Sequence, residues 1–193
     1  MGNYSDIIEF IKELERLKDI TRTAWTRNGK QESVAEHSWR LAMFALVLQD
    51  YFIGFDMNRV IHMCLLHDLG EAYEGDVSAK IQTDQVSKLK SEKEAIQKLL
   101  LSLPENLQSK LMELWKEYNE GETKEAKLAK ALDKMETIIQ HNQGSNPEDF
   151  DYIFNIKYGS EYADFNDVVR EIRNMIDDET ISKAKATMMW TRE

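Results

Sequence analysis

Residues 58–70 read NRVIHMCLLHDLG. Val60 to Leu66 is apolar on every side except at His62, the pattern of a helix enclosed by other helices. Asn58 offers a cap for the first turn, and Gly70 suits the left-handed position past a helix end, so the spacing predicts a helix across this stretch. It closes on His67 and Asp68. A carboxylate in the last turn faces the negative end of the helix dipole, and if buried without a cation it is costly or protonated. Asp68 therefore requires a positive partner.

Helical periodicity extends outward from there in both directions. Ile7, Ile11, Leu14 and Leu17 follow Ser5, a cap for a first amphipathic helix. Ser33 and Glu36 in SVAE form a capping-box pattern, and the apolar run from Leu41 to Leu48 follows, so another helix starts near Ser33. Further helices are predicted from about Thr83 to Leu103 and from Pro104 to Tyr118, the latter with Gly121 past its end. Leu128, Leu132, Met135 and Ile139 mark a stripe ending before Gly144. Asn146-Pro147 gives another start signal, and Val168, Ile172 and Met175 fall on one amphipathic face. Only 2 prolines and 8 glycines interrupt 193 residues, and no sustained apolar/polar alternation, repeat or linker occurs. The expectation is all-α: one helical domain over residues 1–193, with a C-terminal helical extension over 145–193.

Composition narrows the function. A hydrophobic fraction of 42% beside 31% charged residues supports a packed core. A formal net charge of -10 repels polyphosphate backbones and anionic lipid, which speaks against nucleic-acid and membrane partners. Small anions stay possible where a metal and a few cationic side chains reverse the local potential. Cys64 is the lone cysteine, so no intrachain disulfide forms and the default location is cytoplasmic. MGNYSDIIEF lacks the parts of a secretory signal, Asp6 argues against myristoylation, and no apolar window approaches membrane-span length. A soluble protein is expected.

The chemistry gathers on three of the predicted helices. His37 shares a face with Leu41, Ala45 and Leu48, and Asp133 follows Ala126 and Ala129, a strip of small residues that admits a close neighbour. Alone, an inward His is as a rule a hydrogen-bonded core residue and an inward Asp a cap or ion-pair partner. The full set of His37, His67, Asp68 and Asp133 instead suits one divalent metal ion: Mn, Co, Fe or Zn by donor chemistry, with Mg also open. His62 stands roughly 140° round the helix from His67, too far to share a metal easily, and reads as a boundary residue or one behind the ligands. His141 falls at a helix C-terminus, where a cationic imidazole is favoured. Trp39, Met43, Phe44 and Trp115 read as core or dimer-interface packing, and Asp177-Asp178-Glu179 as a solvated face.

The segments SVAEHSWRLA, CLLHDLGEAYEGDVSA and AKALDKME resemble the three metal-binding blocks of the HD-domain superfamily, specifically its 5'-deoxynucleotidase branch, and the similarity runs from about Leu14 to His141. The specific part is the His-Asp pair followed by Glu71 and Gly75-Asp76. The resemblance implies a helical bundle with its metal site between three core helices. It also implies hydrolysis of deoxyribonucleoside 5'-monophosphates with one divalent metal, in a homodimer. The metal would polarise a phosphoryl oxygen and activate water, with Glu71 and Asp76 sharing the acid/base work. Read locally, Glu71 would instead cap the next helix and Asp76 close the Gly75 turn. Arg22 and Trp25 in TRTAWTRNG lie where the resembled family keeps an Arg and a Trp for phosphate and for sugar or base; without it they read as surface and core. Arg27 and Lys80 are further phosphate candidates.

Two other readings stay open. One is an HD-type hydrolase of tri-, tetra- or cyclic nucleotides; the two-metal versions need extra histidines between the His-Asp pair and the last Asp, and none stands between Asp68 and Asp133. The other is a catalytically silent, metal-bearing regulatory module, which would have no use for Glu71 and Asp76 beside the metal.

Overall fold

The computed structural model of the protein describes residues 4–76 and 84–190. The chain opens with α1 (Tyr4–Glu13) and a short α2 (Arg16–Asp19), then an antiparallel hairpin of β1 (Thr21–Trp25) and β2 (Gln31–Ser33). α3 (Val34–Val47) leaves directly from β2, and α4 (Met57–Leu66) leads into a 3-10 turn over Leu69–Ala72. α5 (Gln85–Leu100), α6 (Glu105–Glu120), α7 (Lys124–Gln143), α8 (Tyr152–Lys157) and α9 (Asp167–Trp190) complete the order. The all-α expectation holds apart from the hairpin. Its strands are short and their register is irregular between Thr21 and Trp25, which erases the alternation that would reveal a strand.

Local chemistry sets most boundaries. At α3 the expected capping box is complete: Ser33 Oγ accepts from Glu36 N at 3.2 Å and Glu36 Oε2 accepts from Ser33 N at 2.8 Å. Gly121, in the left-handed conformation at φ 66°, ends α6 as expected. Other signals fell elsewhere. α4 is capped by Asp56, whose carboxylate accepts from Arg59 N at 3.0 Å, and not by Asn58. Ser5 lies inside α1, and the predicted first helix breaks into α1 and α2. Asn146-Pro147 opens no helix; Asp151 caps α8 instead. Gly70 is not left-handed: a Cβ there would lie 2.8 Å from Glu92 Cβ and 2.9 Å from Glu92 O, so its role is to let α5 approach.

The main core joins α3, α4 and α7 through Leu41, Ala45, Val60, Met63, Leu128 and Leu132. Ala126 and Ala129 are fully buried, as a close helix approach requires. A second cluster, including Leu17, Val34, Leu69, Ile96, Leu99 and Trp115, lies beside the first turn of α3 and the 3-10 turn. Two expectations about helix faces are corrected and a third is narrowed. α4 is not enclosed all round, because His62 and Leu65 are exposed. Trp115 is buried in the second cluster and Phe44 packs against the main core, while Trp39 and Met43 face outward beside Leu46 and Val47, so that of core and interface packing only the second is left to them. On α9 the buried stripe runs through Val169, Arg173, Ile176 and Thr180, with Val168 and Ile172 at its margin and Met175 exposed. A buried Arg and Thr in that stripe conceal it from a hydropathy reading.

Candidate metal centre

Three helix ends and one helix middle converge. His37 sits one turn into α3, His67 caps the C-terminus of α4, Asp68 begins the following turn, and Asp133 lies midway along α7. Asp68 is thus just beyond α4, not in its last turn. The four reactive ends meet: His37 Nε2 is 3.3 Å from His67 Nε2, 3.2 Å from Asp133 Oδ1 and 3.8 Å from Asp68 Oδ2. Asp68 Oδ2 is in turn 3.0 Å from His67 Nε2.

The outer nitrogens explain what this edge needs. His37 Nδ1 donates to Glu136 Oε2 at 2.5 Å, and His67 Nδ1 donates to the Cys64 carbonyl at 3.0 Å. With both protons placed there, two imidazole lone pairs and two carboxylate oxygens face one another, an arrangement that demands a cation. Burial and the nearby Arg22 oppose charge on His37, but Glu136 and Asp133 outweigh them and push its pKa up to about 9. A proton therefore marks the place for positive charge. Ligand atoms of His37, His67 and Asp133 lie within 4.8 Å of one another, so the donor set fits a divalent ion. Asp133 presents only one oxygen to this edge, since Oδ2 accepts from Tyr118 Oη and Lys134 Nζ, each at 2.8 Å. Burial would raise the Asp68 and Asp133 carboxyls, yet the facing imidazoles, with Lys134 at Asp133, hold both below the usual carboxylate range.

Glu71 lies on the 3-10 turn and is buried, and its Oε2 has no hydrogen-bond partner among the described residues. Burial, with the carboxylates of Asp68 and Asp76 adding to it, pushes its pKa up to about 10. Asp76 is half-buried beside it and is also raised, chiefly by burial. The helix-cap alternative for Glu71 is overturned, since α5 is capped by Asp84. Arg22, on β1, donates to Thr137 Oγ1 at 3.1 Å and Glu32 Oε2 at 3.4 Å; it is close enough to the cage for Asp68 to be the strongest of the carboxylates holding its proton against burial. It is not the surface residue that its local sequence suggests. Trp25 is half-buried at the end of β1, and its carbonyl accepts from Gln140 Nε2 on α7.

Of the remaining candidates, Arg27 is exposed in the hairpin turn and Lys80 lies outside the described residues. His62 is exposed and does not stand behind the ligands. His141 is not cationic: it is buried against Asn155 Oδ1 at 3.1 Å, and burial pulls its pKa down to about 4. Sequence reading missed Glu32, Arg40, Tyr118, Lys134 and Glu136. Only Glu136 left a signal, as an acid three residues after Asp133 on the same helix.

Comparisons with known proteins agree with this geometry. A family model described as HD domain matches residues 14–173. The 5'-deoxynucleotidase HDDC2 of Bos taurus is 36% identical over 140 residues, spanning 72% of this chain and 67% of its own length. Its Homo sapiens counterpart is 34% identical over 139 residues, 71% of this chain and 67% of that one. Among solved structures, one described as a predicted metal-dependent phosphohydrolase from Magnetospirillum magnetotacticum MS-1 superposes with a TM-score of 0.74 at 25% identity, covering 93% of this chain and 96% of that one. A family match over most of the chain, relatives that share a third of its residues and a cage built on the His, His-Asp, Asp pattern lead to one conclusion: the chain belongs to the HD-domain family.

Proposed function

We propose that the protein is a metal-dependent 5'-deoxynucleotidase, hydrolysing deoxyribonucleoside 5'-monophosphates to deoxynucleosides and phosphate. The observation that carries this is the pairing of a cation-demanding cage with Glu71, a buried carboxyl whose Oε2 no described residue engages. His37, His67, Asp68 and Asp133 would hold one divalent ion, of which Mn, Co, Fe, Zn and Mg are candidates. When bound, that ion polarises a phosphoryl oxygen and lowers the pKa of water beside it.

The chain's own residues do the rest. Glu71, kept protonated by burial, is suited to give a proton to the leaving 5'-oxygen, while Asp76 takes one from the attacking water. Arg22 presents a planar fork to the phosphate from a position fixed by Glu32 and Thr137. Trp25 offers a flat apolar face for the sugar. Recognition concentrated on the 5'-phosphodeoxyribose leaves base selectivity weak. The names of the relatives support deoxyribose over ribose.

A cytoplasmic homodimer fits the same reading. Its subunits would meet over the outward face of α3, where Trp39 is 64% and Val47 64% exposed beside Met43 and Leu46. The deciding experiment is phosphate release from all common deoxyribo- and ribonucleoside 5'-monophosphates with Mn, Co, Mg or Zn supplied. Release from dAMP well above AMP is expected. Equal rates on the two would remove the deoxy preference, and release from none would remove the activity.

A further inference from the structure

We infer that Glu136 is a positioning residue for the metal centre, a buried carboxylate that fixes the His37 ring so that Nε2 is the nitrogen offered to the ion. This rests on His37 being a metal ligand. Glu136 is 1% exposed and stands three residues after Asp133, so one face of α7 carries both a ligand and the group that aims another ligand. Its two oxygens are divided. Oε2 accepts from His37 Nδ1 at 2.5 Å, and Oε1 accepts from Arg40 Nε at 2.5 Å, with Arg40 Nη2 also in contact.

The rest of the cluster holds Glu136 in place. Glu32, Glu136, Arg22 and Arg40 interleave: Arg22 Nη1 is 3.4 Å from Glu32 and 3.9 Å from Glu136, and Arg40 Nη2 is 3.9 Å from Glu32. Ligand atoms of Glu32, His37 and Glu136 lie close enough together to hold a cation of their own. Two guanidinium groups already supply positive charge there, so the cluster is read as the support of the metal site and not as a second one.

The two histidines differ in a way that makes the role testable. His67 is aimed by a backbone carbonyl, that of Cys64, which no side-chain substitution removes. His37 is aimed by a side chain. Loss of the Glu136 carboxylate should therefore release one ring and leave the other in place.

The test compares Glu136→Ala, Glu136→Gln and the double variant Glu136→Leu/Arg40→Leu, which removes the carboxylate together with its guanidinium and leaves no unpaired Arg40 charge. Zn affinity is read by competition titration, and the His37 tautomer by 15N imidazole resonances of the metal-free proteins at about pH 10, where the ring is neutral, and of the Zn-loaded proteins at neutral pH. We expect Glu136→Ala and the double variant to lose about 10- to 100-fold in affinity and to show mixed His37 tautomers, while Glu136→Gln, which keeps an acceptor, retains most of both. If Glu136 served only to neutralise Arg40, the double variant would bind Zn as the wild type does with an unchanged His37 spectrum, and the inference would be overturned. Should Glu136→Ala fail to fold, the double variant decides alone. His67→Ala separates the two levels: unchanged Zn affinity there would mean that the cage itself has been misread.

Discussion

If His37 holds the proposed metal ion, a proton and that ion compete for one lone pair. With the pKa pushed up to about 9, the metal-free ring is protonated at neutral pH, and binding must expel that proton. Apparent metal affinity should rise about tenfold per pH unit up to roughly pH 9 and then level off. Competition titrations between pH 6 and 10 would show this; a flat profile would mean that His37 does not bind the ion. Arg22 allows a second prediction. A charge-assisted contact is worth roughly 1.5 to 3 kcal/mol, so Arg22→Ala should lower kcat/KM by about one to two orders of magnitude with metal retained. An unchanged kcat/KM would place the phosphate grip elsewhere. Glu71→Gln should bind metal normally and lose about 10²- to 10⁴-fold in kcat, the usual share of a proton-transfer group. Full activity in that variant would show that Glu71 is not the proton-transfer group.

The helix elements bring these groups together through local signals of very different visibility. The Ser33–Glu36 box starts α3, and His37 is the next residue, so the cap also sets where that candidate ligand stands. Ser33→Ala should cost about 1 kcal/mol, measured by urea denaturation, because it leaves an N-terminal amide unpaired. The hairpin was not legible. Its three-residue second strand and irregular pairing give no period to read, yet it carries both Arg22 and Glu32 to the site. Gly70 was legible as necessary but for the wrong reason. Its need is set by Glu92 on α5, a neighbour whose approach no local pattern announces.

For the molecule as a whole, stability should depend on pH through His141, which packs between α7 and α8. Its folded pKa of about 4 lies below the ordinary 6.5, so the folded state favours the neutral ring. That contribution is complete above about pH 6.5 and is lost as pH falls toward 4, a span corresponding to roughly 3 kcal/mol at most. The difference in unfolding free energy between wild type and His141→Gln should therefore shrink or reverse on acidification across that window; a constant difference would show that His141 is not held neutral. Metal should add to stability. An ion at a hundredfold excess over its Kd adds about 2.7 kcal/mol, enough to raise Tm by several degrees.

The four candidate ligands, and the helices on or beside which they stand, could be read from the chain alone, because helical periodicity and the chemistry of His and Asp are local properties. His37 behind a capping box, His67-Asp68 after an apolar helix and Asp133 on a small-residue stripe needed no third dimension. The working arrangement around them did. Glu136 reaches His37 across 99 residues of sequence, and Arg22 reaches Thr137 across 115, so no short-range pattern contains either pairing. Which imidazole nitrogen faces the cage, why Asp133 offers one oxygen, and why His141 is neutral at a helix end all follow from burial and charge brought together by packing. Burial depends on what the distant chain supplies, and that is settled only when the helices close.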